Sequence, residues 1–229
     1  MKFLVISDLH GNTDILDKLD KQFDQADGVL FAGDFAKFGE EATALPALEA
    51  LCKKTEDKDY FTFAVLGNCD KPEFIRELEK KDICVQKCLE HTKGLCFAGS
   101  GGGSKFTGTT PFEREDEDLV SDFDIIRNQG EDADWANLIA IMHNPPKDTK
   151  CDMIEGGIHV GSPALRTFIE KTKPLAVVTG HIHESAGIDK IGNTTVINPG
   201  PLLEGKYAWL QVEKEGDSWQ VKNASLESL

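Results

Sequence analysis

The sequence predicts an α/β fold in which two packed, mixed β-sheets are flanked by helices. Short apolar runs bounded by glycine and polar residues, a pattern typical of buried strands, alternate with helical patterns through the first half of the chain. The end of the chain reads as a meander of strands. Elements in this order favour two layers of sheet with helices on the outer faces.

The first half is predicted to contain three strand–helix units. The strands are apolar runs at 2–7, 28–32 and 61–66. The helices that follow them are predicted at 13–24, 40–54 and 72–80. In the first helix, Thr13 is a candidate N-cap, and the apolar residues fall on one face. They are Ile15, Leu16, Leu19 and Phe23.

The second half is predicted to begin with short strands near 83–86 and 94–98, a helix near 116–128 and a strand at 137–142. Ser162 and Pro163 are typical of the cap and first turn of a helix, which we expect to run to about Thr172. The remaining strands are predicted near 175–179, 186–191, 194–198, 206–213 and 218–224.

Two long loops interrupt this pattern. Residues 99–112 are too rich in glycine for a regular element, and residues 143–161 contain two prolines and a Gly-Gly pair. Loops of this length inside a domain are usually functional or disordered. The first is equally consistent with a solvated connector and with a lid over a site. The acidic run at 113–118 is expected to be a solvated helix start with no role in a site.

Five of the predicted strands end, within a residue or two, on a side chain that can bind a metal ion. Ligands gather at the carboxyl ends of strands in open α/β sheets, and residues at i and i+2 in extended chain point to the same side. Mixed imidazole and oxygen donors without a thiolate suit Mn, Fe, Ni, Co or Zn. The sequence therefore predicts one site with enough ligands for two divalent transition-metal ions: Asp8, His10, Asp34, Asn68, His143, His181 and His183.

The other polar residues are interpreted as structural. His91 and His159 stand alone in the sequence, although His159 lies where it could reach a substrate. Asn12 and Asp70 are first of all turn residues, and contacts to phosphate or to the metal ligands come second. Six cysteines form no framework pattern and complete no four-ligand zinc knuckle.

Composition limits the possible partners and the compartment. The formal charge is −15, from 40 acidic and 25 basic residues, which disfavours a protein that grips a nucleic-acid backbone. The sequence contains no run of about 18 apolar residues, so we expect no membrane-spanning helix. The apolar run after Met1 is too short for a signal peptide. We therefore expect a cytoplasmic protein with no membrane association, and the negative charge leaves a small anionic substrate possible, since bound metal ions are the largest local charges in such a site.

The chain resembles a calcineurin-like metallophosphoesterase. Five sequence blocks carry this resemblance: Asp8-Leu-His10-Gly-Asn12, Gly33-Asp34, Gly67-Asn68-Cys69-Asp70, His143 and Gly180-His181-Ile-His183. Later blocks are similar to a microbial branch of predicted phosphoesterases: Gly161-Ser-Pro-Ala-Leu-Arg166, Gly180-His-Ile-His-Glu-Ser185 and Asn198-Pro-Gly-Pro201. The resemblance extends from residue 2 to about Val212, and each block alone would be weak.

The resemblance implies a single domain over residues 1–229 and assigns the ligands. One metal is expected on Asp8, His10, Asp34 and His183, and the second on Asp34, Asn68, His143 and His181, with Asp34 bridging the two. The catalytic residues that it implies are Asn68, Asp34 and His143. A hydroxide held between the metals would attack phosphorus, because metal binding lowers the pKa of water towards ~7.

A phosphodiester is the expected substrate. Two divalent ions, less two carboxylates and a hydroxide, leave a local charge of about +1, which a singly charged diester neutralises. A monoester would need a further cation, for which Lys105 and Arg166 are the candidates near the motifs. A phosphomonoesterase therefore stays an alternative.

A second alternative is a non-catalytic scaffold, since the retromer complex contains a subunit of this fold that serves chiefly as a binding surface. Retention of all the ligands favours an enzyme. One position departs from the family pattern: Cys69 stands where many members have a histidine that helps the leaving group depart.

Overall fold

The computed structural model describes residues 1–216 and 218–229. Its strands are Lys2–Ile6 (β1), Gly28–Phe31 (β2), Phe61–Ala64 (β3), Leu89–Thr92 (β4), Leu95–Ser100 (β5), Gly103–Ser104 (β6), Glu113–Arg114 (β7), Leu138–Met142 (β8), Met153–Ile154 (β9), Ile158–His159 (β10), Ala176–Val178 (β11), Gly187–Ile191 (β12), Thr194–Asn198 (β13), Lys206–Glu215 (β14) and Ser218–Ser228 (β15).

The α-helices are Asp14–Asp17 (α1), Asp20–Gln25 (α2), Ala44–Thr55 (α3), Ile75–Lys80 (α4), Asp116–Ser121 (α5), Asp124–Gln129 (α6), Asp132–Ala136 (α7) and Pro163–Thr172 (α8). Short 3-10 helices lie at Glu41–Thr43, Pro72–Phe74, His183–Ser185 and Leu202–Glu204. Within residues 1–216 and 218–229, each helix is too short or too polar to span a bilayer.

Two mixed sheets form the centre of the fold. The first has the order β15-β14-β1-β2-β3, and the second has the order β12-β13-β11-β8-β5-β4. Strands β1, β2 and β3 run parallel in the first sheet, and β5, β8, β11 and β13 run parallel in the second. Three of the four edge strands, β15, β12 and β4, are antiparallel to their neighbours, whereas the fourth, β3, is parallel to β2. This arrangement confirms the predicted pair of mixed sheets.

The sheets pack face to face, with helices on their outer faces. Alternate residues of β1 show the division: Phe3 and Val5 join a buried apolar cluster with residues of the second sheet, whereas Leu4 and Ile6 pack with the helices α1 to α4. The second sheet turns its other face to α5, α6 and α8. Because successive side chains of a strand point to opposite faces, each fully buried strand contributes to two apolar layers.

Several element boundaries differ from the predictions. The helix predicted at 13–24 is two helices, α1 and α2, and Thr13 has helical backbone angles and makes no capping hydrogen bond. The segment at 83–86 is no strand: single bridges join Cys84 to β3 and Gln86 to β5. The segment at 83–86 therefore crosses from the first sheet to the second. By contrast, Ser162 caps α8 as predicted, with Oγ accepting from the Leu165 N–H at 2.9 Å.

The helix predicted near 116–128 is also divided, into α5 and α6. One of the two residues between them, Asp122, is buried and accepts two hydrogen bonds from the guanidinium of Arg114, at 2.6 and 2.7 Å. A buried, bidentate pair of this kind satisfies both charges. The break between α5 and α6 therefore coincides with an inward-facing carboxylate.

Candidate metal centre

The predicted ligands converge at the carboxyl ends of five parallel strands. Asp8, Asp34 and Asn68 follow β1, β2 and β3 in the first sheet, while His143 and His181 follow β8 and β11 in the second. Backbone hydrogen bonds tie these ends together: Asp8 N donates to Gly33 O at 2.9 Å, and Gly180 N donates to His143 O at 3.1 Å. The two sheets thus deliver their side chains to one place, as the sequence predicts.

The residues assigned to the first metal lie close together. Nε2 of His183 is 3.3 Å from Oδ1 of Asp8, and Nε2 of His10 is 3.2 Å from Nε2 of His183. Oδ2 of Asp34 lies 3.6 Å from Nε2 of His10. Asp8 is held in place by the backbone N–H of His181, which donates to its carboxylate at 3.2 and 3.3 Å.

The residues assigned to the second metal adjoin this group. Nε2 of His143 lies 2.8 Å from Oδ1 of Asn68 and 3.6 Å from Oδ2 of Asp34. The rings of His143 and His181 have centroids 5.0 Å apart. Oδ2 of Asp34 is therefore 3.6 Å from a ring nitrogen of each group, at His10 and at His143.

Two histidines are oriented by backbone carbonyls. Nδ1 of His10 donates to Ala36 O at 3.0 Å, and Nδ1 of His143 donates to Ala32 O at 2.7 Å. A neutral imidazole that donates from Nδ1 presents the lone pair of Nε2, and metal-binding histidines are commonly held this way.

Lone pairs consequently face each other inside the cluster. Nε2 of His143 faces the carbonyl oxygen of Asn68 at 2.8 Å, where neither atom has a proton to donate. Nε2 of His10 lies 3.2 Å from Nε2 of His183, the ring nitrogen that also hydrogen-bonds to Oδ1 of Asp8. A cation placed among such acceptors satisfies them, so these residues fit divalent metal ions.

Four of the predicted ligands have left-handed backbone. The φ angles are 55° at Asp8, 47° at His10, 62° at Asp34 and 70° at His181. Each non-glycine residue in this region costs about 1 kcal/mol or more, and such residues persist where function requires the geometry. Their concentration in one cluster supports this cluster as the candidate functional site.

Two glycines permit the close approach of the loops. A β-carbon at Gly67 would lie 1.9 Å from Oδ1 of Asp34, so no side chain fits there. A β-carbon at Gly103 would lie 3.2 Å from Cβ of Asn68 and 3.4 Å from Nε2 of His181, which shows that both side chains flank this glycine.

The buried charges of the cluster perturb one another. Burial and the adjacent charge of Asp8 raise the pKa of Asp34 to about 6. Burial also opposes ionisation of Asp8, but the hydrogen bond from His183 and the nearby imidazoles hold its pKa below the ordinary range. Desolvation lowers the pKa of His143, and desolvation together with His143 lowers the pKa of His181 to about 4. Both rings are thus neutral near pH 7, the form that binds metal.

Asp70 has a larger role than its sequence context indicated. This fully buried carboxylate accepts backbone N–H groups of Asp34, Phe35 and Gly67 on Oδ2, at 3.1, 3.2 and 2.8 Å, and that of Ala36 on Oδ1 at 2.8 Å. It therefore joins the loop after β2 to the loop after β3. One signal was its position three residues after Gly67, from which an Asp can hydrogen-bond back to the turn.

Cys69 lies inside the cluster. Its backbone N–H donates to Oδ1 of Asp34 at 2.8 Å, and its thiol lies near His10 and Asp34 at a spacing that metal ligands could adopt. Burial and the charge of Asp34 raise the pKa of the Cys69 thiol far above its ordinary value. The thiol is therefore neutral beside these carboxylates, and a neutral thiol is a poor ligand.

The other candidate residues lie outside the cluster. His91 and His159 contact Asp134 and Asp152, at 3.1 and 2.8 Å, in agreement with a structural role. Asn198 donates to Ile182 O at 2.9 Å and so supports the turn between His181 and His183.

A cavity of about 340 Å³ opens beside the cluster, with Asn68 and His181 in its lining. The rest of the lining comes from Ile182, between His181 and His183, and from both long loops and the start of the acidic run: Ser104, Lys105, Phe106, Thr107, Thr110, Glu113, Asn144, Ile154 and Val160. Residues 104–107 and Thr110 are therefore part of a site wall. Glu113, for which the sequence predicted no site role, belongs to the same wall.

Comparisons with known proteins agree with this geometry. The protein MJ1162 of Methanocaldococcus jannaschii is 34% identical over 207 residues, which cover 88% of this chain and 88% of that protein. The structure of TT1561 from Thermus thermophilus has a TM-score of 0.71 at 19% identity, over 97% of this chain and 98% of the other.

A structure described as a novel archaeal phosphodiesterase has a TM-score of 0.57 at 16% identity, and the match covers 100% of this chain and 100% of the other. At these identities the solved structures show a common fold. The sequence match is more specific, since a model of the calcineurin-like phosphoesterase family matches residues 1–185. The chain belongs to the calcineurin-like phosphoesterase family.

Proposed function

We propose that this chain is a phosphodiesterase that works with two divalent transition-metal ions. Asp8, His10, Asp34 and His183 would hold one ion, and Asp34, Asn68, His143 and His181 would hold the other. The observation that carries the proposal is the position of Asp34, whose Oδ2 lies 3.6 Å from a ring nitrogen of each ligand group. Family membership independently implies a phosphoesterase that uses divalent metals.

When bound, two such ions supply positive charge to the phosphate group and lower the pKa of water for attack at neutral pH. The ligand chemistry suits Mn, Fe, Ni, Co or Zn. The chain's own contribution is orientation. The carbonyl of Ala32 fixes the ring of His143, and Asp70 fixes the loops that carry Asp34 and Asn68.

Asn68 is the residue that we assign to the phosphate itself. It lines the cavity next to the cluster, and its carbonyl oxygen faces His143. Its amide N–H₂ has two hydrogens; one donates weakly to Sγ of Cys69 at 3.8 Å, and the other would donate to a phosphate oxygen. Donors fixed before the reaction stabilise charge that develops in the transition state. Asp34 and His143 complete the catalytic set that we propose.

The charges around the cavity support a diester over a monoester. A monoester dianion needs one more positive partner than a diester. Lys105 lines the cavity, but its ammonium pairs with Glu115. Arg166, the other candidate, donates to Glu170 at 2.7 Å and to Asp148 O at 3.0 Å, and it lies outside the cavity lining.

Hydrolysis of matched substrates tests the proposal. The protein is reconstituted separately with Mn, Ni, Zn and Mg, and kcat/KM is measured for bis(4-nitrophenyl) phosphate and for 4-nitrophenyl phosphate. We expect the diester to be cut faster with at least one transition metal. Clear preference for the monoester would contradict the diester assignment, and no hydrolysis of either substrate by metal-loaded protein would contradict the enzymatic function.

Two histidine variants provide the control. His143→Ala should reduce kcat/KM for the diester by ~10²-fold or more, since it removes a residue of the proposed centre. His91→Ala should retain activity, because His91 contacts Asp134 away from the cluster. Equal losses in the two variants would indicate a general effect on folding and count against the assigned site.

A further inference from the structure

The cavity beside the cluster has one polar end and apolar walls. Its polar end adjoins the cluster at Asn68 and His181, where the hydroxyl of Ser104 is buried without a hydrogen-bond partner among the described residues. The apolar walls are Phe106, Ile154, Val160 and Ile182. Its volume, about 340 Å³, falls in the range of ligand pockets, ~300–1,000 Å³.

The ionic groups of this wall are already paired. Lys105 pairs with Glu115. The carboxylate of Glu113 accepts the backbone N–H groups of Phe106 and Gly108 at 2.8 and 2.9 Å and those of Thr109 and Thr110 at 3.1 and 3.3 Å. The described lining residues therefore offer no unpaired charge to a ligand, which disfavours a charged group in the apolar part of the cavity.

Phe106 is presented by a segment that is fixed in place. Its side chain is 91% exposed, although its backbone N–H is held by Glu113 and the segment begins with the pairing of β6 and β7. Single exposed apolar residues are ordinary on protein surfaces, but this ring also forms the wall of a cavity. An exposed aromatic ring at a cavity wall, on a backbone that is held in place, is suited to stacking against a flat, uncharged ligand group.

From these observations we propose that the cavity binds an uncharged aromatic ester group of the phosphodiester, stacked on Phe106, while the phosphate lies at the polar end. The inference deepens the proposed function and rests on it for the identity of the phosphate site. It names Phe106 as a residue that sets specificity, and Glu113 as a positioning residue that acts through the backbone of Phe106.

Binding of two diesters that lack an activated leaving group tests the inference. Diphenyl phosphate and dimethyl phosphate, which carry the same charge, are titrated calorimetrically into the manganese-reconstituted protein. We expect diphenyl phosphate to bind about 3- to 10-fold more tightly, and Phe106→Ala to remove most of that difference. Phe38→Ala is the matched control, because Phe38 is also exposed, at 57%, and lies outside the cavity lining.

Turnover provides a second readout. In Phe106→Ala, KM for bis(4-nitrophenyl) phosphate should rise about 3- to 10-fold with little change in kcat, because stacking stabilises bound substrate and transition state alike. Metal content should stay at the wild-type value. Equal affinity of wild type for diphenyl phosphate and dimethyl phosphate, or equal effects of the Phe106 and Phe38 variants, would overturn the inference while diester hydrolysis still stood. Phe106-dependent binding without any hydrolysis would instead contradict the proposed function and leave the aromatic site supported.

Discussion

At the scale of single residues, Asp70 organises the site without being one of the predicted ligands. Its carboxylate accepts four backbone N–H groups, from Asp34, Phe35, Ala36 and Gly67. Burial and the charge of Asp34 raise its pKa to about 7. Four donors around one buried side chain require an acceptor at each oxygen.

Asp70→Asn should therefore destabilise the protein. The amide nitrogen of asparagine cannot accept, so at least one buried N–H loses its partner, at a cost of about 1–3 kcal/mol. Chemical denaturation should show the free energy of unfolding lowered by this amount. Asp59→Asn is the control, since Asp59 is exposed. Equal stability of Asp70→Asn and wild type would show that the four contacts contribute little.

Cys69 provides a second test at this scale. Its thiol is neutral because burial and Asp34 oppose ionisation by raising its pKa, so we expect it to be a neighbour of the metals and not a ligand. Cys69→Ala should keep its metal content and should cut bis(4-nitrophenyl) phosphate within about 10-fold of the wild-type rate. Loss of one metal ion would identify the thiol as a ligand. A loss of ~10²-fold in rate with metals intact would instead make it a participant in catalysis.

The seven strand-end residues could be predicted from sequence because each follows an apolar run that specifies a buried parallel strand. The roles of Asp70 and Cys69 could not be predicted in this way, because neither residue directly follows an apolar run. Whether a residue two positions after Asn68 faces solvent or a ring of N–H groups depends on how the loop closes over its neighbour. The left-handed backbone of Asp8 and Asp34 is likewise set by the loops that meet there.

At the scale of elements, the segment 105–110 is shaped by one carboxylate. The backbone N–H of Phe106, with those of the following residues, lowers the pKa of Glu113 to about 2. Because this pKa lies below the ordinary 4.5, the ionised Glu113 carboxylate stabilises the segment fully above pH 4.5, and this stabilisation is lost as the pH falls towards 2.

Hydrogen exchange checks this contribution. At pH 7, Glu113→Ala should abolish amide protection at Phe106, Gly108, Thr109 and Thr110, because their acceptor is gone. In the wild type, that protection should persist at pH 4 after correction for intrinsic rates. Glu117→Ala is the control, as Glu117 is an exposed acid of the same run. Unchanged protection in Glu113→Ala would show that the segment holds its shape by other contacts.

The strands of the two central sheets, apart from β4, were predicted better than the helices and than the two-residue strands β6, β7, β9 and β10, which no prediction covered. Strands β1 and β8 are continuous apolar runs of the length and composition typical of buried strands. The acidic run was interpreted as solvated because nothing in the sequence distinguishes Glu113, which folds back onto a loop, from Glu117, which does not. The division of the helix predicted at 116–128 was missed for the same reason, since it depends on a tertiary contact between Asp122 and Arg114 that the sequence does not show.

At the scale of the whole molecule, the sandwich brings ligands from both sheets to one end. The first sheet contributes Asp8, Asp34 and Asn68, and the second contributes His143 and His181. Metal ions bound here would therefore link the two sheets in addition to the apolar layer between them. Ligands that bind only the folded state stabilise it by mass action.

Removal of metal should consequently lower the melting temperature. For a site at free metal concentrations of about 100 times Kd, the stabilisation is about 2.7 kcal/mol, which corresponds to about 5–10 °C for a chain of this size. Calorimetry of metal-loaded protein with and without a chelator measures the difference. The Asp34→Asn variant should show a much smaller response to the chelator. An equal response in both proteins would place the stabilising metal elsewhere.

In the proposed centre Asp34 joins the two metal ions, and metal analysis of four proteins is the decisive experiment. After reconstitution and dialysis, the wild type should hold about two ions per chain, His143→Ala about one, and Asp34→Asn clearly fewer than the wild type at both sites, because only Asp34 belongs to both ligand groups. Asp59→Asn should match the wild type. Full occupancy in Asp34→Asn, or a wild type that holds no tightly bound metal, would contradict the account.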